Sequence, residues 1–470
     1  MAVSTSPKRG AKLDEVRTIA PSGAIGAGFD EAAFWNMMER ERPQFIGCDS
    51  GSTDPGPFAL GSGTSHWGRI AYKRDLRIMM AAALKYDVPL LIGSAGTAGA
   101  DPNLAWLRDI ALEIAREDGH HFKLALIHAE QDRDYLKRRL REGRIKPLKP
   151  VMEISEELID RCAHIVGMMG IEPFLAALEG GAQVVLAGRA SDTSIFSAIP
   201  IREGLPPGLV WHAAKVLECG GASAVRTTAA GLDGMFARIT KDYIEFEPVN
   251  PLLECSPVSV AAHTLYENRS PSALVEPSGT LDVSDAVYEA VNDRVVRVRG
   301  SRFIPAADYT IKLEGAEQIG YQTFVIGGIR DPGILRQFDS WLAEVKERAA
   351  RRVNDIFSGN APEYQVNFRV YGRDGVLGDM EPVNRLEGHE ACVLIEAVAP
   401  AQDQASAIVH AYAHIALHHP IPQWSGLITT LAYPYAPSSI ERGAIYRFNL
   451  NHVVLPDNPL EMFPIEFADV

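Results

Sequence analysis

Over the first two hundred residues, short apolar runs alternate with longer stretches of helical periodicity. The runs are VRTIA (16–20), QFIGC (44–48), VPLLIG (88–93), FKLALI (122–127), AHIVGMM (163–169) and AQVVLAG (182–188). Several are apolar throughout, the pattern of strands covered on both faces. Segments 30–41, 70–86, 103–118, 131–142 and 172–180 between them read as helices. Such alternation predicts right-handed β-α-β crossovers and a mostly parallel sheet with helices on both faces. A helix at 208–219 (GLVWHAAKVLEC) is expected to stop at the pair Gly220-Gly221.

From 236 to 330 the texture becomes β-rich, with YIEFEPV, DRVVRVRGSRFI, YTIKLEGA and YQTFVIGGI. The alternation in RVVRVRG predicts half-exposed antiparallel strands. An amphipathic helix at 333–357 leads into strand (YQVNFRVYG), strand (EACVLIEAVA), helix (QDQASAIVHAYAHIALHH) and strands around 427–434 and 443–454. The fold class expected is α/β. A large doubly wound, mostly parallel sheet domain, Rossmann-like and three-layered, spans 1–330, and a smaller α+β C-terminal domain spans 331–470.

Charge narrows the functions open to such a fold. With 46 Lys and Arg against 60 Asp and Glu, the net charge is −14, which argues against tracking a phosphate backbone. The cysteines Cys48, Cys162, Cys219, Cys255 and Cys392 are widely spaced and contain no C-x-x-C, so they read as reduced thiols. No apolar run reaches the ~18 residues of a membrane span, and the N-terminus lacks an apolar signal core. A soluble, cytoplasmic protein with neither a nucleic-acid nor a membrane partner is expected.

The connections after the strands are rich in Gly, Ser, Asp and Pro: PSGAIGAG (21–28), DSGSTDPGP (49–57), GSAGTAGADP (93–102), HAEQD (128–132) and GRASDTS (188–194). In a parallel sheet these loops share the carboxyl edge, where such folds bind ligands. In the 93–102 loop, Gly93, Ser94, Gly96, Thr97, Gly99 and Asp101 precede a helix whose N-terminus favours an anion. The loop is neither a Walker motif nor a G-x-G-x-x-G, so it carries no ATP or NAD fingerprint. Asp49, Ser50, Ser52 and Asp54 end a buried strand, either as hydrogen-bonding, base or divalent-cation groups or as an Asx turn. Arg189 is a candidate clamp for a substrate carboxylate and Asp192 a candidate proton carrier, beside Ser191; the alternative is an Arg–Asp pair that shapes the loop. His128 directly follows a strand. Cys219 sits at a helix C-terminus, which raises a thiol pKa, so it reads as structural, with Glu218 a weaker base candidate. His410, His414 and His418 recur every four residues without the H-E-x-x-H pattern and read as a packing stripe. YPYAPSS (433–439) and RGAIYRFNLNHV (442–453) offer Tyr435, Arg447 and Asn449, either as a loop over the site or as a subunit interface.

The segments GSAGTAGADPNLAWL, AGRASDTSIF, KVLECGGASA, VRVRGSRF, YTIKLEGA and AYPYAPSSIERGAIYRF, in that order, resemble the acyclic terpene utilisation (AtuA-like) family over nearly the whole chain. The resemblance implies a catabolic enzyme acting on a 3-hydroxy-3-isohexenylglutaryl-CoA intermediate with release of acetate. Carbon–carbon lysis of a 3-hydroxy-acyl thioester needs a base for the hydroxyl proton and a group that stabilises the enolate. Asp49, Asp54 or Asp192 serve the first need; the 93–99 amides and Arg189 serve the second. The leading expectation is therefore a lyase of a 3-hydroxy-acyl compound or related branched carboxylic acid. Two alternatives stand beside it. One is a hydratase, isomerase or hydrolase of a small di- or tricarboxylate without coenzyme A. The other is a non-catalytic ligand-binding subunit that needs a small companion subunit. A homo-oligomer is expected in each case, and Arg69, Lys73, Arg74 and Arg77 form a local basic cluster that could serve a nucleotide, the alternative being a solvated helix face.

Overall fold

The structure, a computed structural model, describes residues 12–150, 152–225, 233–383, 385–423 and 429–470. Two compact units divide the chain. One holds the residues up to Glu317 together with Phe448–Val470, and the other holds Gln318–Arg447. Of the segment expected as a C-terminal domain, 331–447 thus lies in the second unit, while 448–470 returns to the first.

All six apolar runs of the N-terminal region form strands: β1 (Glu15–Ala20), β2 (Phe45–Asp49), β3 (Leu90–Gly93), β4 (Lys123–Ile127), β6 (Cys162–Met168) and β7 (Val184–Ala187), with a short β5 (Ile145–Pro147) between β4 and β6. Five of them, in the order β1-β2-β3-β7-β4, are joined by parallel pairing. The ten-stranded sheet is mixed: this parallel block forms its centre and antiparallel strands flank it. Met235–Thr240 pairs antiparallel with β1, and the terminal strand Ile465–Asp469 pairs antiparallel with β4. Strands between 235 and 299 supply most of this antiparallel flank; Ile244–Pro248 and Val296–Arg299 alternate buried and part-exposed positions as expected, whereas Met235–Thr240 is buried over most of its length.

The apolar runs are filled on both faces, as their composition requires. Val16, Phe45, Leu91, Val185 and Ile127 enter one core, with Phe174 and Ile195 from helices Glu172–Glu179 and Asp192–Arg202. Ile19, Ile46, Ile92, Leu186 and Leu126 enter the other, with Met38, Leu76 and Leu107 from helices Glu31–Glu41, Arg69–Tyr86 and Asp101–Asp118. Because successive strand residues point to opposite faces, one apolar run feeds both cores. Helix ends carry ordinary signals: the Asp30 side chain accepts from Ala33 N, Pro102 lies in the first turn of its helix, and Gly119 closes that helix at φ +68°.

One strand departs from expectation. β6 does not join the parallel block but pairs antiparallel with the start of the strand Ile311–Ile329, placing Glu314 opposite Val166. Its burial is uneven, with Ala163, His164 and Met168 only half-buried, the profile of a strand outside a doubly covered sheet. In the second unit, the expected helix at 333–357 is two, Pro332–Arg336 and Phe338–Ile356, parted at Gln337. The longer one packs with Gln402–His418 over the strand Ala391–Ala399. Of the strand expected around 427–434, residues 427 and 428 lie outside the described residues; Ala432 bridges Gly328. Among the described residues no helix is long and apolar enough to cross a membrane.

Candidate active site

Neighbouring parallel strands end on the same side, so the loops after β2, β3 and β7 meet. Backbone bonds stitch them together: Ser94 N donates to Gly188 O (2.9 Å), Ala95 N to Ala187 O (2.9 Å), Arg189 N to Gly99 O (3.3 Å) and Ile25 N to Asp49 O (3.0 Å). Gly99 is required here. Its φ is +70°, and a Cβ would lie 2.1 Å from Arg189 N. The same stitching uses the amides expected to form an oxyanion hole. Ser94, Ala95 and Gly99 N–H groups bond to carbonyls, and Gly96 N donates to Ser50 Oγ (3.2 Å) and Tyr72 Oη (3.2 Å). Ser50, Gly93, Gly96 and Thr97 therefore build the loop: Gly93 packs against Ile195, Asn103 Nδ2 donates to Gly96 O, and Thr97 Oγ1 accepts from His66 N.

Arg189 is the hub of the buried part. Its guanidinium donates from Nε to Glu314 Oε2 (3.0 Å) and from Nη1 to Ser94 Oγ (3.0 Å), Ala190 O (3.1 Å) and Asp192 Oδ1 (3.2 Å). Glu314 also accepts from Lys312 Nζ (2.8 Å) and Thr53 Oγ1 (3.2 Å). Burial by itself would raise the Glu314 carboxyl, but the charges of Arg189 and Lys312 outweigh it and hold it at about 2. Asp49, 5% exposed, has the opposite fate. Its Oδ2 accepts from Gly51 N (3.0 Å), whereas Oδ1 is buried without a hydrogen-bond partner. Burial, then repulsion from Asp192, pushes it well above the usual carboxylate range against the pull of Arg189. Half-buried Asp192 is raised too, by burial opposed by Arg189, with Asp54 adding repulsion.

A second buried pair flanks Asp192. Lys215 and Glu218, 3% and 7% exposed, stand one turn apart at the end of helix Pro207–Leu217, with Nζ donating to Glu218 Oε1. Burial, with repulsion from Asp192, lifts Glu218 to about 8 although Lys215 opposes it. Glu276 accepts from Ser191 Oγ (2.7 Å) and Thr193 Oγ1 (2.5 Å), and burial lifts it to about 7 against those hydroxyls. Carboxyls outnumber cations in this cluster, so near neutral pH it holds exchangeable protons. Burial and Glu218 push the Cys219 thiol far above its ordinary range, so it is not a thiolate.

Of the other expected site residues, Ser52 Oγ donates to exposed Asp54 (2.6 Å) at the loop surface. Asp101 and His128 meet elsewhere, at the end of β4, with Asp101 Oδ1 2.7 Å from His128 Nδ1; nearby, Glu130 pairs with His164 at 2.6 Å. Tyr435, 56% exposed, and Arg447 belong to the second unit, as do His410, whose Nε2 lies 2.7 Å from Ser439 Oγ, and the edge-on pair His414–His418. Among the described residues no group of three or more His, Cys, Asp or Glu is arranged to hold a metal ion.

Sequence reasoning missed Glu314, Glu276, Thr193 and Lys215. Lys215 and Glu218 did leave a trace, as a lone charged pair at i, i+3 in an otherwise apolar helix.

One comparison bears on this arrangement. The model of the acyclic terpene utilisation family protein AtuA matches residues 36–203 and 254–437, well over half the chain. The chain belongs to that family. The matched parts include Asp49, Arg189, Asp192, Glu276 and Glu314, whereas Lys215 and Glu218 lie between them. Searches of curated proteins and of solved structures returned no match.

Proposed function

We propose that this family member is a lyase acting on a 3-hydroxy-acyl compound or a related branched carboxylic acid. The observation that carries the reading is the Asp49 carboxyl, buried at the end of a parallel strand with Oδ1 unpartnered and its affinity for a proton raised. A carboxylate tuned upward is suited to take a proton at neutral pH. In the proposed step Asp49 removes the substrate hydroxyl proton, the C–O bond closes to a carbonyl, and the adjacent carbon–carbon bond breaks. The electron pair moves onto the departing carboxymethyl fragment as an enolate. That fragment takes a proton from Glu218, which at about 8 is mostly protonated at pH 7. The cations Arg189 and Lys215 stabilise the negative charge of the fragment. With most 93–99 amides engaged in the loop itself, the electrostatic part falls to these side chains. Arg189 acts through position and charge, since its Nε and Nη1 already hold Glu314 and Asp192.

A second reading, the same chemistry on a free acid without coenzyme A, is favoured by one observation. The basic cluster Arg69, Lys73 and Arg77 is paired with Glu113, Glu117 and Asp118, leaving little charge for a nucleotide. The test is mass-spectrometric detection of acetate from 3-hydroxy-3-alkylglutaryl compounds, offered both as coenzyme A thioesters and as free acids. Cleavage of the thioester alone supports the first reading, and cleavage of the acid alone the second. Cleavage of neither by active-condition protein counts against both.

A further inference from the structure

Beside the Asp49 loop lies a cavity of about 420 Å³ that the chemistry above does not use. It falls within the size range of small-molecule sites, roughly 300–1,000 Å³. The loop 21–28 forms one wall through Gly23, Ala24 and Ala27, and the same loop bonds Asp49, through Ile25 N to Asp49 O at 3.0 Å. Trp67 and half-exposed Tyr266 form aromatic walls, and Cys219, Ala222 and His263 complete the lining.

None of the eight lining residues carries a charge at neutral pH. Burial, helped by the charge of Lys215, lowers His263 to about 4, so its imidazole is neutral. The Cys219 thiol is raised, first by burial and then by Glu218, and Tyr266 is pushed up to about 12, chiefly by Glu267. A charged group taken from water into such a lining would lose hydration with no charged lining residue to replace it, and Lys215, whose charge reaches His263, is already engaged by Glu218. His263 adds a specific polar feature. It is 7% exposed, its ring stacks on Tyr266 at 5.6 Å, and its Nε2 is buried with no hydrogen-bond partner among the described residues. Buried polar atoms are seldom left unpaired, and His263 is among the residues that line the cavity, so a ligand there has this imidazole to pair with.

We propose that this cavity is a subsite for an uncharged, largely apolar part of the ligand bearing one hydrogen-bonding atom, which pairs with His263. The proposal deepens the reading of Asp49 as the reacting edge, because one loop lines the cavity and holds Asp49. It names what the cavity accepts, an uncharged group of about the size of a fused bicycle, and which residues read it.

The experiment is isothermal titration of the full chain with 1-naphthol, which is neutral at pH 7, and with 1-naphthoate, its charged counterpart. Binding of 1-naphthol at least tenfold tighter than 1-naphthoate is expected. Ala222→Leu and Ala27→Leu, which fill the cavity, should each abolish that binding, and His263→Phe should weaken it about tenfold by removing one hydrogen bond. Equal binding of the two probes, no binding of 1-naphthol, or binding indifferent to both leucine variants would overturn the proposal. Should His263→Phe fail to fold, the leucine variants decide. Because the readout needs no turnover, failure here leaves the Asp49 assignment standing, and loss of that assignment leaves the cavity result intact.

Discussion

Replacing Glu314 with Gln removes the negative charge at the centre of the Arg189 cluster while keeping the side-chain shape. Glu314 and Arg189 are each 4% exposed, so solvent screens their interaction little. The Glu314 carboxyl is held at about 2 against an ordinary 4.5. A displacement of that size corresponds to about 3 kcal/mol of stability, which agrees with the roughly 3–5 kcal/mol lost when one partner of a buried ion pair is removed. A group with a depressed folded-state pKa stabilises above its unfolded value and loses that contribution as pH falls through the folded one. Urea unfolding of wild type and Glu314→Gln should therefore differ by about 3 kcal/mol at pH 7. The difference should shrink steadily between pH 4.5 and pH 2, the window bounded by the two values. A difference below about 1 kcal/mol at pH 7, or one unchanged from pH 5 to pH 3, would refute the assignment of Glu314 as the principal counter-ion of Arg189.

Glu276 should behave in the opposite sense: raised to about 7, its protonated form stabilises below pH 4.5 and that benefit is lost as pH rises through 7. Glu276→Gln should accordingly match wild type at pH 4 and exceed it by about 1–3 kcal/mol at pH 8, read by the same unfolding assay. Gly99→Ala forces a Cβ to within 2.1 Å of Arg189 N at φ +70°, and thermal melts should show a loss above about 2 kcal/mol. Asp101→Asn disturbs only the part-exposed pair with His128, and its melting point should move by no more than about 1 kcal/mol implies. Turnover, once a substrate is in hand, should decline above pH 8 as Glu218 gives up its proton, and Glu218→Gln, which cannot supply that proton, should turn over more slowly and lack that limb of the profile.

The local half of this architecture was legible in the chain. Apolar runs bounded by Gly- and Asp-rich loops marked β1 to β4, β6 and β7, because continuous apolarity survives only where both faces of a strand are covered. The placing of Asp49, Arg189 and Asp192 at adjacent strand ends followed from the parallel order of β2, β3 and β7. What could not be read was carried by pairing between distant segments. Glu314 reaches Arg189 from 125 residues away because the strand at 311 pairs with β6, and period-two alternation says which face a residue takes but not which strand it meets. The return of Ile465–Asp469 to the edge of β4 is of the same kind. Glu276 gave no signal either, since a lone Glu before Pro-Ser-Gly reads as a turn until Ser191 and Thr193 are seen to hold it. The expected oxyanion hole met a related difficulty: the fold itself uses the glycine amides, Gly96 N bonding to Ser50 and Tyr72 and Gly99 N to Ala95 O.

The central claim is that Asp49 takes the substrate proton, and it is tested most directly by single-turnover cleavage of a 3-hydroxy-3-alkylglutaryl substrate by Asp49→Asn. Asparagine keeps the shape and the bond from Gly51 but cannot accept a proton. A rate lower by about 10²–10⁴-fold with substrate affinity retained is the predicted result, and cleavage at the wild-type rate would contradict it.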